Sequence, residues 1–484
     1  MSKSTGVGPE NVAVELHSSI GVFGDVLPMK ASRDGATVFN LNDSDYVHLE
    51  VDREGAPART LSWQTVAMVQ IGEVVGGGIL TMAAAFAQLG WVMGVLFLFF
   101  FLPVNVYIGC VLSKCREICP AAMSYEDMSN YVIGKKWVTN SINFTIATYL
   151  LLTFGGYFLA ITNSLQMLFF DVALCGPIFG AIVVGVMILP MQIRTLHGTT
   201  ILVWANFVFI CIAVFVALFF MMFNMSTHRA LPDVGTTQVV ADDITWISFL
   251  NAISKIMWAY MGCYVYLQMM SEMKKPGDFP KTFLISGPFQ FLMYLFVAVV
   301  GYMYDGNKAG GIIIAAIDPH TYPALIRLSA FFLFLHLMIA YLILCILFCR
   351  DIHSKVHPKS LNDSGKTGKL IWFALTTTLL VLSYVISNGM PLFDKITALI
   401  GALQSPIIGY FVPPMLLLAA RRRFKMKTGW FEFISLWSIM IFAVVIMFIG
   451  TAANIISFID AMHEKHMTPF QCNMIALEEN WSSM

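Results

Sequence analysis

The sequence predicts an all-α integral membrane protein of about eleven transmembrane helices, and three observations carry that expectation. Hydrophobic residues make up 58% of the 484-residue chain and charged residues only 12%, about half the charged share that a water-facing surface uses. From residue 64 onward, apolar runs long enough for a bilayer-spanning helix of roughly 20 residues follow one another almost without pause. Lys and Arg crowd into alternate loops between those runs. The formal net charge of zero gives no global field that would attract nucleic acid, and none is expected as a partner. The nine cysteines are scattered, without a CxxC pair or metal-ligand spacing, which is the usage of small buried hydrophobes.

Residues 1–60 are rich in Gly, Ser, Asp and Glu and hold no long apolar run. They fit neither a secretory leader nor a packed core, so a disordered cytosolic tail is expected. The spans then fall near 64–88, 91–112, 138–168, 175–193, 199–223, 246–270, 283–304, 326–349, 370–389, 394–419 and 431–459. Together they form one transmembrane domain over 61–459, with a short tail at 460–484. Eighteen Lys and Arg, from Lys114 to Lys427, lie in one set of loops; only Arg229, Lys308, Arg327, Lys395 and Lys465 lie in the other. This asymmetry puts the N-terminus in the cytosol and, with an odd span count, the C-terminus outside. The plasma membrane is the expected site and the vacuolar membrane the alternative. Asn224 and Asn480 begin sequons on the outer side. Cys175 and Cys472 share that side, but nothing in the sequence positions either one and no bridge between them is expected.

The first span contains Gly76, Gly77 and Gly78 near mid-membrane. Each glycine costs about 1 kcal/mol of helix stability against alanine, so three in a row mark a place where the helix can open. Unwound backbone at that depth is tolerated only where it lines a cavity or is buried in protein. The free N–H groups of the half-helix that follows suit a carboxylate. Close packing of two helices through small residues explains the same glycines equally well.

Gly72-Glu73-Val-Val-Gly-Gly-Gly-Ile-Leu80 followed by Ala85-Phe-Ala-Gln-Leu-Gly-Trp91 resembles the opening of the amino acid/auxin permease family. Phe249-Leu-Asn-Ala-Ile, Ala259-Tyr260 and Ser271-Glu-Met-Lys-Lys-Pro-Gly-Asp-Phe-Pro-Lys281 resemble its sixth helix and the loop after it. Pro391-Leu-Phe-Asp394, Leu399-Ile-Gly-Ala-Leu403 and Pro413-Pro414 resemble its ninth and tenth helices. The likeness runs in order from about Thr60 to Ile455 and is nearest in flavour to the fungal neutral amino acid permeases of the N-system type. Ala83 departs from it, standing where the family commonly has proline.

The resemblance implies a LeuT-type fold: two inverted five-helix repeats plus one extra helix, with the first and sixth helices interrupted at the substrate site. It implies import of neutral aliphatic and aromatic amino acids by alternating access. Gly76, Gly77, Gly78 and Ile79 would then hold the substrate carboxylate through backbone N–H groups. Carbonyls around Ala259 and Tyr260 would take its amino group, Tyr260 would wall the side-chain pocket, and Gly262 would mark the second break. Interruptions in corresponding helices of two repeats are the expected sign of a midplane site. Phe154, Gly155 and Tyr157 of the third span are candidates for another wall.

Three ionisable residues besides Tyr and Cys lie well inside spans, and each is a candidate for coupling: Glu73, Lys255 and His336. Glu73, three residues before the glycines, is the leading candidate for a proton carrier. Its alternative is an ion pair with Lys255, although their depths disfavour contact. His336 is a candidate relay, against the plainer role of a hydrogen-bonded core histidine. The eighth span is poor in oxygen ligands, with Ser329 and Tyr341 its hydroxyls, so the proton ranks ahead of sodium as the coupling ion. The histidine pairs 353/357 and 463/466 lack a third ligand, and no metal, cofactor or enzymatic constellation is expected. The alternative functions are an amino-acid-sensing receptor on the same scaffold, or a sodium-coupled or other small-metabolite transporter of the same fold.

Overall fold

The computed structural model describes residues 59–484 except 75, 195–198, 358–359, 361–364, 465–467 and 473–484. The expected N-terminal tail, Lys359, Lys465, His466, the Asn480 sequon and most of the C-terminal tail lie outside the described residues. Within them the regular structure is helical, apart from one isolated bridge between Leu61 and Met273.

The first apolar run is split. Helix α1 (Trp63–Val74) stops at the glycine run, and α2 (Gly77–Leu80) resumes it and leads through Thr81 into α3 (Met82–Ile118). Helix α3 turns sharply at Gly90, where φ is +77° and ψ −178°, a region that essentially only glycine enters. The turn is held from outside: Trp91 and Val92 donate their N–H groups to the carbonyls of Gln238 and Val239. A Cβ on Gly90 would also stand 2.8 Å from the Val240 Cα. This bend separates the first two expected spans. Beyond it the helix runs on to Ile118, past the expected end at 112, because the hydrogen-bond ladder continues after the apolar residues end.

Helix α4 (Tyr125–Val132) is capped by Ser124, whose hydroxyl accepts from the Asp127 N–H. Then come α5 (Lys136–Leu168), α6 (Gly176–Ile188) and α7 (Thr199–Arg229). The sixth run is split like the first. Helix α8 (Trp246–Ala259) begins with a capping box formed by Thr245 and Ser248, and α9 (Tyr266–Ser271) follows after a 3₁₀ turn at Cys263–Val265. Next are α10 (Phe279–Asp305), α11 (Pro323–Val356) and α12 (Lys366–Gly389). The tenth run is α13 (Phe393–Leu403), a π-helical segment Pro406–Phe411 and α14 (Val412–Arg423). The last is α15 (Trp430–Val445), a π-helical segment Ile446–Gly450 and α16 (Thr451–Glu464).

Eight helical stretches among the described residues are long and apolar enough to cross a membrane. The expected spans outside those eight are the two split runs and the fourth, whose helix α6 has only 13 residues. The split runs sit at the centre, with α8 packed on α3 and α13, and α1 on α10. Helix α11 packs on α7 and α5, and α12 on α5. Burial grades outward: 78% of the most apolar window in Phe393–Arg423 is buried against 28% in Trp430–Glu464, so the last run is peripheral. Apolar side chains such as Phe99, Leu292, Phe431 and Ile441 are exposed along the outer faces, as a lipid-facing surface requires.

Two outer-side expectations change. Cys175 and Cys472 are disulfide-bonded, with Cα atoms 4.7 Å apart. The pairing depends on how the C-terminal segment lies: the Phe470 N–H donates to the Asn388 carbonyl at the end of α12, and its ring packs near Tyr384. No local sequence signal encodes that path. Asn224 lies inside α7, where its amide donates to the Phe220 carbonyl and accepts from the Tyr322 hydroxyl. The sequon is thus part of a packed helix rather than a loop.

Gly90→Ala is expected to destabilise the folded protein by about 1–3 kcal/mol, from backbone strain at positive φ and the clash with Val240. A lowered unfolding midpoint in detergent, with unchanged helix content before unfolding, checks this.

Candidate functional site

The two breaks face each other. A Cβ on Gly78 would lie 2.6 Å from the Ala259 Cα, so only glycine permits helix 1 to come this close to the end of α8. A Cβ on Gly262 would lie 2.6 Å from Val74 Cγ2, so the second break packs back against the first. The start of the first run and the end of the sixth are also joined. The N–H groups of Thr60 and Leu61 donate to the Glu272 carbonyl, and the Lys274 N–H donates to Leu61. The glycines therefore serve both readings of the sequence, an opened helix and a close helix contact.

A small cavity lies between the breaks. Glu73, Val74, Gly77 and Gly78 line it from the first run, Trp258, Ala259, Met261 and Tyr264 from the sixth, and Tyr149, Thr153 and Tyr157 from α5. It offers about 20 Å³ to the centre of a water-sized molecule, room for a water or two, so admitting an amino acid requires its walls to part. At the start of the half-helix the Gly76 N–H donates to the Val74 carbonyl and the Ile79 N–H to the Gly76 carbonyl. The last carbonyls of α1 and α8, those of Val74 and Ala259, both accept from the hydroxyl of Tyr294, which is not among the lining residues.

The expected residues are distributed unevenly around this cavity. Gly77, Gly78 and Ala259 line it; Gly76 and Ile79 flank it in the chain, and Gly262 packs behind it. Tyr260 stands elsewhere: its hydroxyl donates to the Leu98 carbonyl and its side chain lies outside the lining. The neighbouring Trp258 takes the place expected of it. Of the third-span candidates only Tyr157 reaches the cavity. Phe154 packs against Tyr341 with ring centres 4.9 Å apart, and a Cβ on Gly155 would meet Ile386 at 2.3 Å. A signal for the third-span wall was present. Tyr149, Thr153 and Tyr157 put hydroxyls at i, i+4 and i+8, one face of the otherwise apolar stretch 149–161.

The ionisable candidates separate into distinct environments. The half-buried Glu73 accepts a hydrogen bond from the Tyr264 hydroxyl at 2.6 Å, across the gap between the two breaks. Lys255 does not reach it. The fully buried ammonium lies 3.4 Å from Asp394 at the start of α13, with Lys395 3.8 Å from the same carboxylate. The Glu73–Lys255 pairing is thereby replaced by Lys255–Asp394, since a lysine carried by α8 above the break points toward α13 and not inward along α1. His336 is fully buried; its Nδ1 lies 3.0 Å from the Asn206 carbonyl, to which it can donate. Its Nε2 has no partner among the described residues and lies 3.8 Å from where a Cβ on Gly76 would sit.

Residues 59–456 match the family model described as transmembrane amino acid transporter protein. The chain belongs to that family. Among its relatives, the N amino acid transport system protein of Neurospora crassa is 22% identical over 88% of this chain and 91% of its own length. An Arabidopsis thaliana relative named amino acid permease 6 is 24% identical over 87% of this chain and 94% of its own. The crystal structure of MhsT in complex with L-phenylalanine superposes with a TM-score of 0.53, covering 83% of this chain and 99% of that one at 13% identity. That likeness shows a shared LeuT-type fold. The family members named here are transporters and permeases, not enzymes. The amino acid/auxin permease resemblance and its fungal N-system flavour therefore agree with the relatives found.

Asp394→Asn is expected to cost more than Lys255→Met. The first leaves a fully buried ammonium without its carboxylate, a loss of about 3–5 kcal/mol; the second leaves a partly exposed carboxylate beside Lys395. Comparing the two unfolding midpoints measures the difference, and equal or inverted costs would contradict the pairing.

Proposed function

We propose that this chain imports neutral aliphatic and aromatic amino acids by proton symport, with Glu73 carrying the proton. The observation that supports this reading is the presence of the Glu73 carboxyl in the same cavity as Gly77, Gly78 and Ala259. Substrate carboxylate at the start of the half-helix, ammonium near the ends of α1 and α8, and proton on Glu73 would share one enclosed volume. The aromatic and apolar groups of Trp258, Tyr157, Tyr149 and Met261 would surround the substrate side chain. Glu73 and Tyr264 sit on opposite sides of the gap between the breaks. Loading the proton removes a charge there and changes the bond that spans it, which links protonation to the arrangement of both helices. About 100 mV of membrane potential contributes about 2.3 kcal/mol per charge moved, enough for roughly fifty-fold accumulation.

The proposed topology has eleven spans, counting the two interrupted runs and α6, with the N-terminus cytosolic and the C-terminus outside. The Cys175–Cys472 bridge supports it, because disulfides persist on the oxidising side of a membrane and both cysteines fall on the predicted outer side.

Uptake of labelled amino acids into liposomes, with proton and sodium gradients imposed separately, tests the reading. Accumulation under the proton gradient alone is the expected result. Accumulation under sodium alone would reassign the ion, and binding without accumulation would make the chain a sensor. Glu73→Gln is expected to abolish proton-driven accumulation while leaving substrate-binding protein intact; unchanged uptake with unchanged pH dependence would remove Glu73 from the role. Gly77→Val is expected to weaken substrate affinity by at least tenfold. Even a Cβ there would lie 3.0 Å from the Trp258 ring and 3.3 Å from Tyr157. Wild-type affinity in that variant would return the glycine to a packing role.

A further inference from the structure

Tyr294 on α10 lies behind the cavity and is not part of its lining. Its hydroxyl is 2.8 Å from the carbonyl oxygen of Val74 and 2.7 Å from that of Ala259. Val74 is the last residue of α1 and Ala259 the last of α8, so both carbonyls belong to helix ends that lack an intrahelical donor; the Gly76 N–H also donates to the Val74 carbonyl, at 2.9 Å. The tyrosine is fully buried and its ring packs edge-on to Tyr260 at 5.3 Å. A phenylalanine would fill the same space. What the hydroxyl adds is one proton between two acceptors.

The rest of α10 supports this contact. One and two turns earlier on the same face stand Gln290 and Ser286, and the Ser286 hydroxyl donates to the Gln70 side chain of α1. Helix α10 thus meets the inner half of the first run along a polar line that ends at the two breaks.

We propose that Tyr294 is a positioning residue for transport, its single hydroxyl proton passing between the Val74 and Ala259 carbonyls and holding the two interrupted helices in register as the site opens and closes. When one carbonyl draws away, the hydroxyl keeps its bond to the other, so the two half-helices part by exchanging a bond and not by losing one. The inner half of the first run is in this way tied to the outer half of the sixth. This inference rests on the transport reading above, but it concerns a residue that would touch neither substrate nor proton.

Tyr294→Phe tests it through two measurements on the purified full chain. Backbone hydrogen exchange is expected to speed up at least fivefold at both breaks, Gly76–Ile79 and Tyr260–Gly262. In liposomes the maximal uptake rate is expected to fall about tenfold with KM within twofold of wild type, a split that mere loosening of the cavity would not produce. Faster exchange at only one break, unchanged exchange, an unchanged maximal rate, or a raised KM at constant rate would each overturn the proposal. So would recovery of less than a tenth of the wild-type amount of folded protein, which would make the hydroxyl a folding requirement. If the wild-type chain accumulates no amino acid, the transport reading fails, while the exchange data still decide whether one hydroxyl holds both breaks.

Discussion

A peptide group that faces hydrocarbon without a partner costs several kcal/mol, and that penalty governs where this chain can interrupt a helix. Both interruptions lie at the centre of the bundle and against each other. Gly78 rests on Ala259, Gly262 on Val74, and Tyr294 serves the carbonyls of both. Each break is thus part of the shelter of the other.

Charge is partitioned with similar economy. Glu73 stands within the gap and accepts from the Tyr264 hydroxyl, whereas Lys255 is paired with Asp394 between α8 and α13. Were the lysine to reach the glutamate, the acid would be held as one member of an ion pair. With the lysine's partner on another helix, Glu73 is the one carboxyl among the described residues that line the cavity. His336 occupies a third environment, with one ring nitrogen engaged and the other turned toward Gly76.

Much of this was legible in the residues. Apolar run length located the helical runs, and the glycine triplet located the first break, because these signals are local and depend on helix geometry alone. Gly90 separated two spans that hydropathy had also divided. The pocket walls were harder to read. Tyr260 and Trp258 are two residues apart in a segment that leaves helical geometry, so periodicity no longer tells which ring faces the cavity. The partner of Lys255 was hidden for a different reason: Asp394 is 139 residues away in sequence, and depth in the membrane narrows a search without naming a helix. The π-helical segments at 406–411 and 446–450 shift side-chain phase by a fraction of a turn, which a fixed 3.6-residue period cannot anticipate.

The Cys175–Cys472 bridge closes 297 residues of chain into a covalent ring that begins just before α6 and returns after α16. The peripheral last run, with less of its surface buried than any other long apolar stretch, is therefore not held by packing alone. A helix with so little grip on its neighbours could otherwise drift off into the bilayer. Tethered at its far end, it keeps its share of contacts with α8 through Asn454 and Asn251 at a local concentration that no free helix in a membrane would reach.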